Sequence, residues 1–339
     1  MQRYNSSLEQ NEIGENMSLK PLSERWGKPI LNKFGKKIYL DQMTRKELEE
    51  RVKENDIIIL PIGSTENHGP FAPFGEDTII GVSIAERIAY ETGITVAPPI
   101  PYGSHPSHHY GLPGTIPVKA TTLIEYASDV IKWLSNAGFK KIIVWNSHGQ
   151  EYVLPIAKDI AIVEKNVHAL ILVTSWWSWA QDILRKAGTN QEIAPGVRLE
   201  NPFIHADEVE TSVIWYIAPD LIDTETLRKE GSWGVVRLIP GKWVNAAGNV
   251  FPDKPFNWYD VSHLPELYYY PKGFVGWAFK ADPKKGKVII ETVIKRVIEF
   301  IEWLKKTYPP GKVPRTWIDL KDFQFNKPEE GVGPIEESR

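Results

Sequence analysis

The 339-residue sequence predicts an α/β fold built on a mostly parallel sheet that helices cover on both faces. Two observations carry this. Apolar runs of strand length alternate along the chain with stretches of helical spacing. The strand runs are also continuously apolar and β-branched, as in DIIILPIG (56–63), which is how strands buried on both faces read.

The elements follow in order. DQMTRKELEERVKEN (41–55) predicts a helix, with Thr44 and Glu47 forming a capping box. The strand at 56–63 ends at Gly63, just before Glu66 and His68. TIIGVSIAERIAYET (78–92) has helical spacing and stops at Gly93, with Asp77 at the N-cap position. TVAPPIPYG (95–103) begins as a strand and dissolves into a loop. TTLIEYASDVIKWLSNA (121–137) opens on a second capping box, Thr122 and Glu125, and ends at Gly138. KKIIVWN (140–146) is the next strand and delivers His148 at its carboxyl end. A helix over about 151–164, a strand VHALILVTSWW (167–177) and a helix ADEVETSVIWYIA (206–218) continue the alternation. VIIETVIKRVIEFIEWLKK (288–306) is amphipathic, with Ile290, Ile294, Val297, Ile301 and Leu304 on one face, and Pro309 and Pro310 end it.

The domain reading is an N-terminal extension (1–38), one α/β domain (39–310) and a polar tail (311–339). An aromatic insertion at 219–272 holds Trp233, Trp243, Trp258 and Tyr268–Tyr270. A formal net charge of -3 offers no basic excess for a phosphate backbone, which excludes nucleic acid as a partner. No apolar run approaches the roughly 18–20 residues of a membrane span, and the polar N-terminus lacks a signal peptide's apolar core. A cytoplasmic location is expected. The chain has no cysteine, so any metal is held by His, Asp and Glu.

Glu66, His68 and Asp77 bring two carboxylates and an imidazole into one short stretch, LPIGSTENHGPFAPFGED, and His148 arrives from another strand end in NSHGQ. Mixed oxygen and imidazole ligands suit Zn²⁺ first, with Mn²⁺ or Fe²⁺ as alternatives. In an extended loop, residues i and i+2 point the same way, so Glu66 and His68 can face one ion or two adjacent ones, and Asp77 can bridge. The competing reading leaves Glu66 and His68 on a loop surface and Asp77 as a helix cap. Both clusters fall at strand carboxyl ends, where open parallel sheets bind ligands.

NPFIHADEVETS adds His205, Asp207, Glu208 and Glu210. His205 and Glu210 can present a base and an acid to substrate, against the alternative that acids in a first helical turn only complement the dipole. GSHPSHHYGLPGT (103–115) holds His105, His108 and His109 as a candidate site wall, with His108 taken as a substrate contact. Trp176 and Trp177 are candidates to stack on the C–H faces of a polar ring.

LPIGSTENHGPFAPFGEDT, GLPGTIPV, NSHGQ and HADEVETS, in this order and separation, resemble the creatininase (creatinine amidohydrolase) family over about Ile57 to Thr307. The resemblance implies a three-layer α/β/α sandwich, a metal-dependent hydrolase, and a homo-oligomer, often a hexamer. It implies one metal on Glu66, Asp77 and His148, a second on His68 and the shared Asp77, and proton transfer by His205 and Glu210. Metal-activated water would attack a carbonyl of a small polar cyclic substrate. In creatininase itself a glutamate two residues beyond the second motif's histidine binds the second metal. Gln150 stands there in this chain, so that site is weak, absent, or completed by Glu151 or Glu210.

The chain looks most like the branch of the family that opens the inositol-derived cyclic diketone 3-dehydro-scyllo-inosose to a keto acid. Creatinine or another cyclic amide is the alternative substrate, and a formamide the third. A non-catalytic scaffold would have no need of the full set of ligands together with His205 and Glu210.

Overall fold

The strand Ile57–Ile62 (β1) is buried at every residue, and so is Lys141–Asn146 (β3), as their unbroken apolar character requires. With Thr95–Val96 (β2) and Leu170–Ser175 (β4) they form a sheet of order β2-β1-β3-β4 in which every pair is parallel. Ile62 pairs with Asn146 and Asn146 with Ser175, so three carboxyl ends lie level along one edge. A short antiparallel pair, Glu192–Ala194 (β5) and Val197–Arg198 (β6), stands apart. These features come from a computed structural model describing residues 27–105, 110–201, 203–232 and 272–314.

The described helices are Arg45–Glu54 (α1), Glu76–Thr92 (α2), Ala120–Asn136 (α3), Leu154–Val163 (α4), Gln181–Leu184 (α5), Glu208–Ile217 (α6), Thr224–Glu230 (α7) and Pro283–Thr307 (α8). Because successive strand side chains point to opposite faces, the sheet splits its core in two. Ile57, Ile59, Ile143 and Trp145 pack with α2, α6 and α8, whereas Ile58, Leu60, Ile62, Ile142 and Val144 pack with α3 and α4. The result is the three-layer α/β/α sandwich.

Several boundaries differ from expectation. The Thr44/Glu47 capping box forms, but the second does not. α3 starts at Ala120 behind Lys119, which leaves Thr122 and Glu125 inside the helix. α8 starts at Pro283, with Asp282 accepting from the Lys284 N–H, since proline fits a first turn whose N–H groups lack helical partners. Its buried face runs through Ile289, Ile290, Val293, Val297, Ile301 and Leu304, with Ile294 half-buried beside it. The strand expected over 167–177 ends at Ser175, and Trp176–Ala180 turns as a 3-10 helix. At the N-terminal side, Ile38 is buried and its carbonyl accepts from Val96 N, so the folded body begins before residue 39. The insertion holds a helix, α7, while Trp233, Trp243, Trp258 and Tyr268–Tyr270 lie outside the described residues, as does the tail from 315.

α8 packs on α6, and at Gly286 they meet closely: a Cβ there would stand 2.0 Å from the Ser212 carbonyl oxygen. Backbone cannot swing aside as a side chain can. Gly286→Ala is therefore expected to cost about 1–3 kcal/mol as an overpacking change. A lowered urea midpoint at unchanged slope would register this, and an unchanged midpoint would refute it.

Candidate metal centre

The sheet edge brings three loops to one place. Beyond β1 the chain passes Ser64, Glu66 and His68. Beyond β2 it passes Ser104 and His105, and beyond β3 it passes Asn146, His148 and Gln150. The Glu66–His68 loop is tied down by Glu66 N–H donating to Phe74 O (2.9 Å), Asn67 N–H to Thr115 Oγ1 (3.0 Å) and the Asn67 amide to Pro113 O (2.7 Å). At Gly103 a Cβ would come within 2.9 Å of both Gly63 O and His148 Cδ2. Only glycine admits this close approach.

The surface-loop alternative fails on burial: Glu66 is 1 % exposed, His68 0 %, Asp77 2 % and His148 3 %. The N-cap alternative for Asp77 fails too. Gly75 is the N-cap, α2 begins at Glu76, and Asp77 lies inside the first turn with its side chain aimed at the loops. Ser64 Oγ donates to Asp77 Oδ2 at 2.6 Å.

Asp77 joins two histidines. His148 Nδ1 lies 3.0 Å from Asp77 Oδ2 and 3.0 Å from Glu66 Oε2, and His68 Nε2 lies 3.5 Å from Asp77 Oδ1. Each ring is oriented by a backbone carbonyl on its other nitrogen: His148 Nε2–H donates to Ser104 O (3.2 Å) and His68 Nδ1–H to Glu66 O (3.1 Å). Such a carbonyl fixes which nitrogen faces the centre. His105 Nδ1 stands 3.4 Å from Glu66 Oε1, with its ring 4.4 Å from that of His148. Three overlapping sets have ligand atoms mutually within 4.8 Å: Glu66, His105 and His148; Glu66, His68 and His205; and His68, Glu76 and Glu210.

His205 and Glu210 meet this cluster from the start of α6. His205 Nε2 is 3.0 Å from Asn67 O and 4.0 Å from Glu66 Oε1, and its Nδ1 is 3.9 Å from Glu210 Oε2. Ala206 sits between them at φ 47, a left-handed conformation that a non-glycine residue adopts rarely, and its N–H donates to Glu210 Oε2. Asp207 is the α6 N-cap, accepting from Val209 N and Glu210 N. Glu208 accepts from the Glu200 and Asn201 N–H groups and pairs with Lys285. Asp207 therefore has the helix-start role expected of an acid there, whereas Glu208 ties the 200–201 loop and α8 to α6.

Burial and crowding set the charges. Burial would lower His148, but Glu66 and Asp77 outweigh it and raise its pKa to about 10. For His68 burial is likewise overridden, by Glu76 and Asp77, and its pKa lies well above the ordinary histidine value. Burial would raise Asp77, yet His68 and His148 hold it well below the carboxylate range. Burial pushes Glu76 up to about 8 and Glu210 well above its usual value, with neighbouring carboxylates adding to each.

The donors fit a divalent transition ion. They are nitrogen and oxygen only, they are buried, and His68 Nε2 and both Glu76 oxygens have no hydrogen-bond partner. A cation entering must displace the protons that His148 and its neighbours hold, so affinity is expected to climb as pH rises toward about 10, the His148 value. Calorimetric titration of Zn²⁺ at pH 7 in buffers of different ionisation enthalpy would report the released protons. Identical heats in all buffers would contradict it.

The remaining expected residues divide. His108 lies outside the described residues. Trp176 is fully buried, packed edge-on to Trp177 and against Phe203, so it presents no accessible face, contrary to expectation. Trp177 is half-buried, and Glu151 is exposed and belongs to none of the three ligand sets. Gln150 is fully buried and engaged. Its Oε1 accepts from Ser104 N (2.9 Å), and its Nε2 donates to Asn146 Oδ1 (3.2 Å) and Gly63 O (3.4 Å). Gln150→Glu would replace that donor with an acceptor facing two acceptors, and is expected to cost about 1–3 kcal/mol of stability. A thermal midpoint equal to the parent's would refute this. Sequence reasoning missed Glu76, hidden as the neighbour of a supposed cap, and took His105 only as a wall.

The fold and this donor set define a hydrolase class, and the chain belongs to it as a member of the creatininase family: the family profile, described as creatinine amidohydrolase, matches residues 41–301. Among particular relatives, the 3-dehydro-scyllo-inosose hydrolase of Thermotoga maritima is 41% identical over 279 residues, covering 82% of this chain and 86% of that protein. The creatinine amidohydrolase of Pseudomonas putida is 24% identical, covering 82% and 100%. A solved manganese form of creatininase superposes with a TM-score of 0.62 at 22% identity, covering 80% of this chain and 99% of the other, which shows the shared fold. No helix among the described residues is long and apolar enough to cross a membrane.

Proposed function

We propose that this chain hydrolyses a carbon–carbon bond of an inositol-derived cyclic β-diketone, 3-dehydro-scyllo-inosose, opening the ring to a keto acid. The observation that carries this reading is the 41% identity, across most of both chains, to the Thermotoga maritima enzyme of that name. Glu66, Asp77 and His148 would hold a Zn²⁺ ion, or Mn²⁺ or Fe²⁺ in its place. When bound, such an ion lowers the pKa of water toward about 7 and polarises a carbonyl.

The chain's own residues do the rest. Water adds its oxygen to one ring carbonyl carbon, the adjacent ring C–C bond breaks, and the departing carbon keeps the electron pair as an enolate. That carbon then takes a proton, so the ring gains one water and releases nothing. His205 stands between Glu66 and Glu210, at 4.0 and 3.9 Å, in position to pass a proton from the water side to Glu210. Glu210, whose burial favours its protonated form, delivers the proton to the enolate carbon. The Asn67 carbonyl holds the His205 ring in register. Trp177 supplies an apolar face for the C–H side of the ring, and His108 a polar contact.

The test offers metal-loaded protein a panel of cyclic β-diketones, creatinine and formamides, with products identified by mass spectrometry. The expected product is an opened keto acid carrying one added water. Release of an amine or ammonia from creatinine, with diketones untouched, would replace this reading with amide hydrolysis. The same proposal includes a cytoplasmic homo-oligomer, a hexamer by family resemblance, and light scattering of the purified protein measures its size.

A further inference from the structure

We propose that Glu76 is a ligand of a second divalent cation, which it holds together with His68 beside the ion on Glu66 and His148. This rests on the metal-dependent reading above and assigns a residue that neither the sequence motifs nor their spacing singled out.

Glu76 is 0 % exposed, and neither of its carboxylate oxygens meets a hydrogen-bond donor. A buried carboxyl group left this way is costly, and its persistence calls for a partner outside the protein's own donors. His68 is also 0 % exposed and has the matching feature. Its Nδ1–H is committed to Glu66 O at 3.1 Å, while its Nε2 has no hydrogen-bond partner and points at the carboxylates, 3.5 Å from Asp77 Oδ1. Ligand atoms of His68, Glu76 and Glu210 lie within 4.8 Å of one another. Small side-chain movements would bring donors this near to bond lengths of about 2.0–2.2 Å around one ion.

Two carboxylates compete for the role. Glu210 Oε2 already accepts the Ala206 N–H, whereas Glu76 has no donor on either oxygen. The unsatisfied group is the better ligand, which leaves Glu210 to move protons. Gln150 does not compete, because its amide is engaged by Ser104, Asn146 and Gly63.

The experiment counts ions. Metal-free wild type, Glu76→Gln and Glu210→Gln are loaded with Mn²⁺, desalted, and analysed for metal content and by electron paramagnetic resonance, with near-ultraviolet circular dichroism as the fold control. Wild type is expected to carry two ions with an exchange-coupled signal. Glu76→Gln should carry one, with the uncoupled signal of an isolated ion, and Glu210→Gln should keep two. Should Glu76→Gln fail to fold, Glu76→Asp is expected to retain the second ion but lose it faster to chelator than wild type does. Two ions in Glu76→Gln, an unchanged chelation rate in Glu76→Asp, loss of the second ion in Glu210→Gln, or a single ion in wild type would each overturn the proposal. A wild type that takes up no ion at all would instead defeat the metal-dependent reading on which it rests.

Discussion

Asp77→Asn is expected to lower hydrolysis by about 10–100-fold or more, the loss that disturbing even the outer partners of a metal site brings, because a neutral amide replaces a carboxylate that faces both histidines. The two oxygens of Asp77 reach different histidines, Oδ2 toward His148 at 3.0 Å and Oδ1 toward His68 at 3.5 Å, so it is the link between the two halves of the donor set. Asparagine keeps the size and an oxygen to accept from Ser64, and the fold should survive. What it loses is a charge that, after that of Glu66, raises the His148 pKa, together with one of the two carboxylate oxygens facing the histidines. The measurement is kcat/KM beside metal content. Activity and bound metal both at parental levels would remove Asp77 from the centre.

The same residue shows what the sequence could and could not disclose. Spacing placed Asp77 beside a helix start, to within two residues, but a cap and an inward-facing first-turn carboxylate look alike until the helix begins. Here Pro73 and Gly75 set the entry so that Glu76 is already helical, and the side chains of the first turn point at the loops rather than along the axis. Glu66, His68 and His148 were legible because continuous apolar runs fix where strands end, and the level register of β1, β3 and β4 brings those ends together. Trp176 was misread for the converse reason. Aromatic residues after a strand suit a pocket wall or a core equally well, and only packing against Phe203 and Trp177 decides. The role of Gln150 was likewise illegible, since two of its three hydrogen bonds reach loops distant in sequence, at Gly63 and Ser104.

Glu210→Gln is expected to reduce kcat by roughly 10²–10⁴-fold, the usual contribution of a positioned general acid or base, with KM little changed. Glutamine retains a carbonyl oxygen to accept the Ala206 N–H, so the left-handed turn at Ala206 and the α6 N-cap on Asp207 are preserved. What disappears is the transferable proton. Burial raises the Glu210 pKa well above the ordinary glutamate value, and Asp77, Asp207 and Glu76 push the same way against the opposing His68. The group therefore holds its proton further toward neutral pH than a solvent-exposed glutamate, and activity that needs that proton falls as pH rises through the shifted pKa. The parental pH–rate profile should show this alkaline descent, and Glu210→Gln should lack it while keeping the remaining limbs. A variant with low kcat and an unaltered profile would mean that Glu210 only supports the site. A variant with unchanged kcat would assign proton delivery to His205 alone, which faces Glu66 on its other side at 4.0 Å.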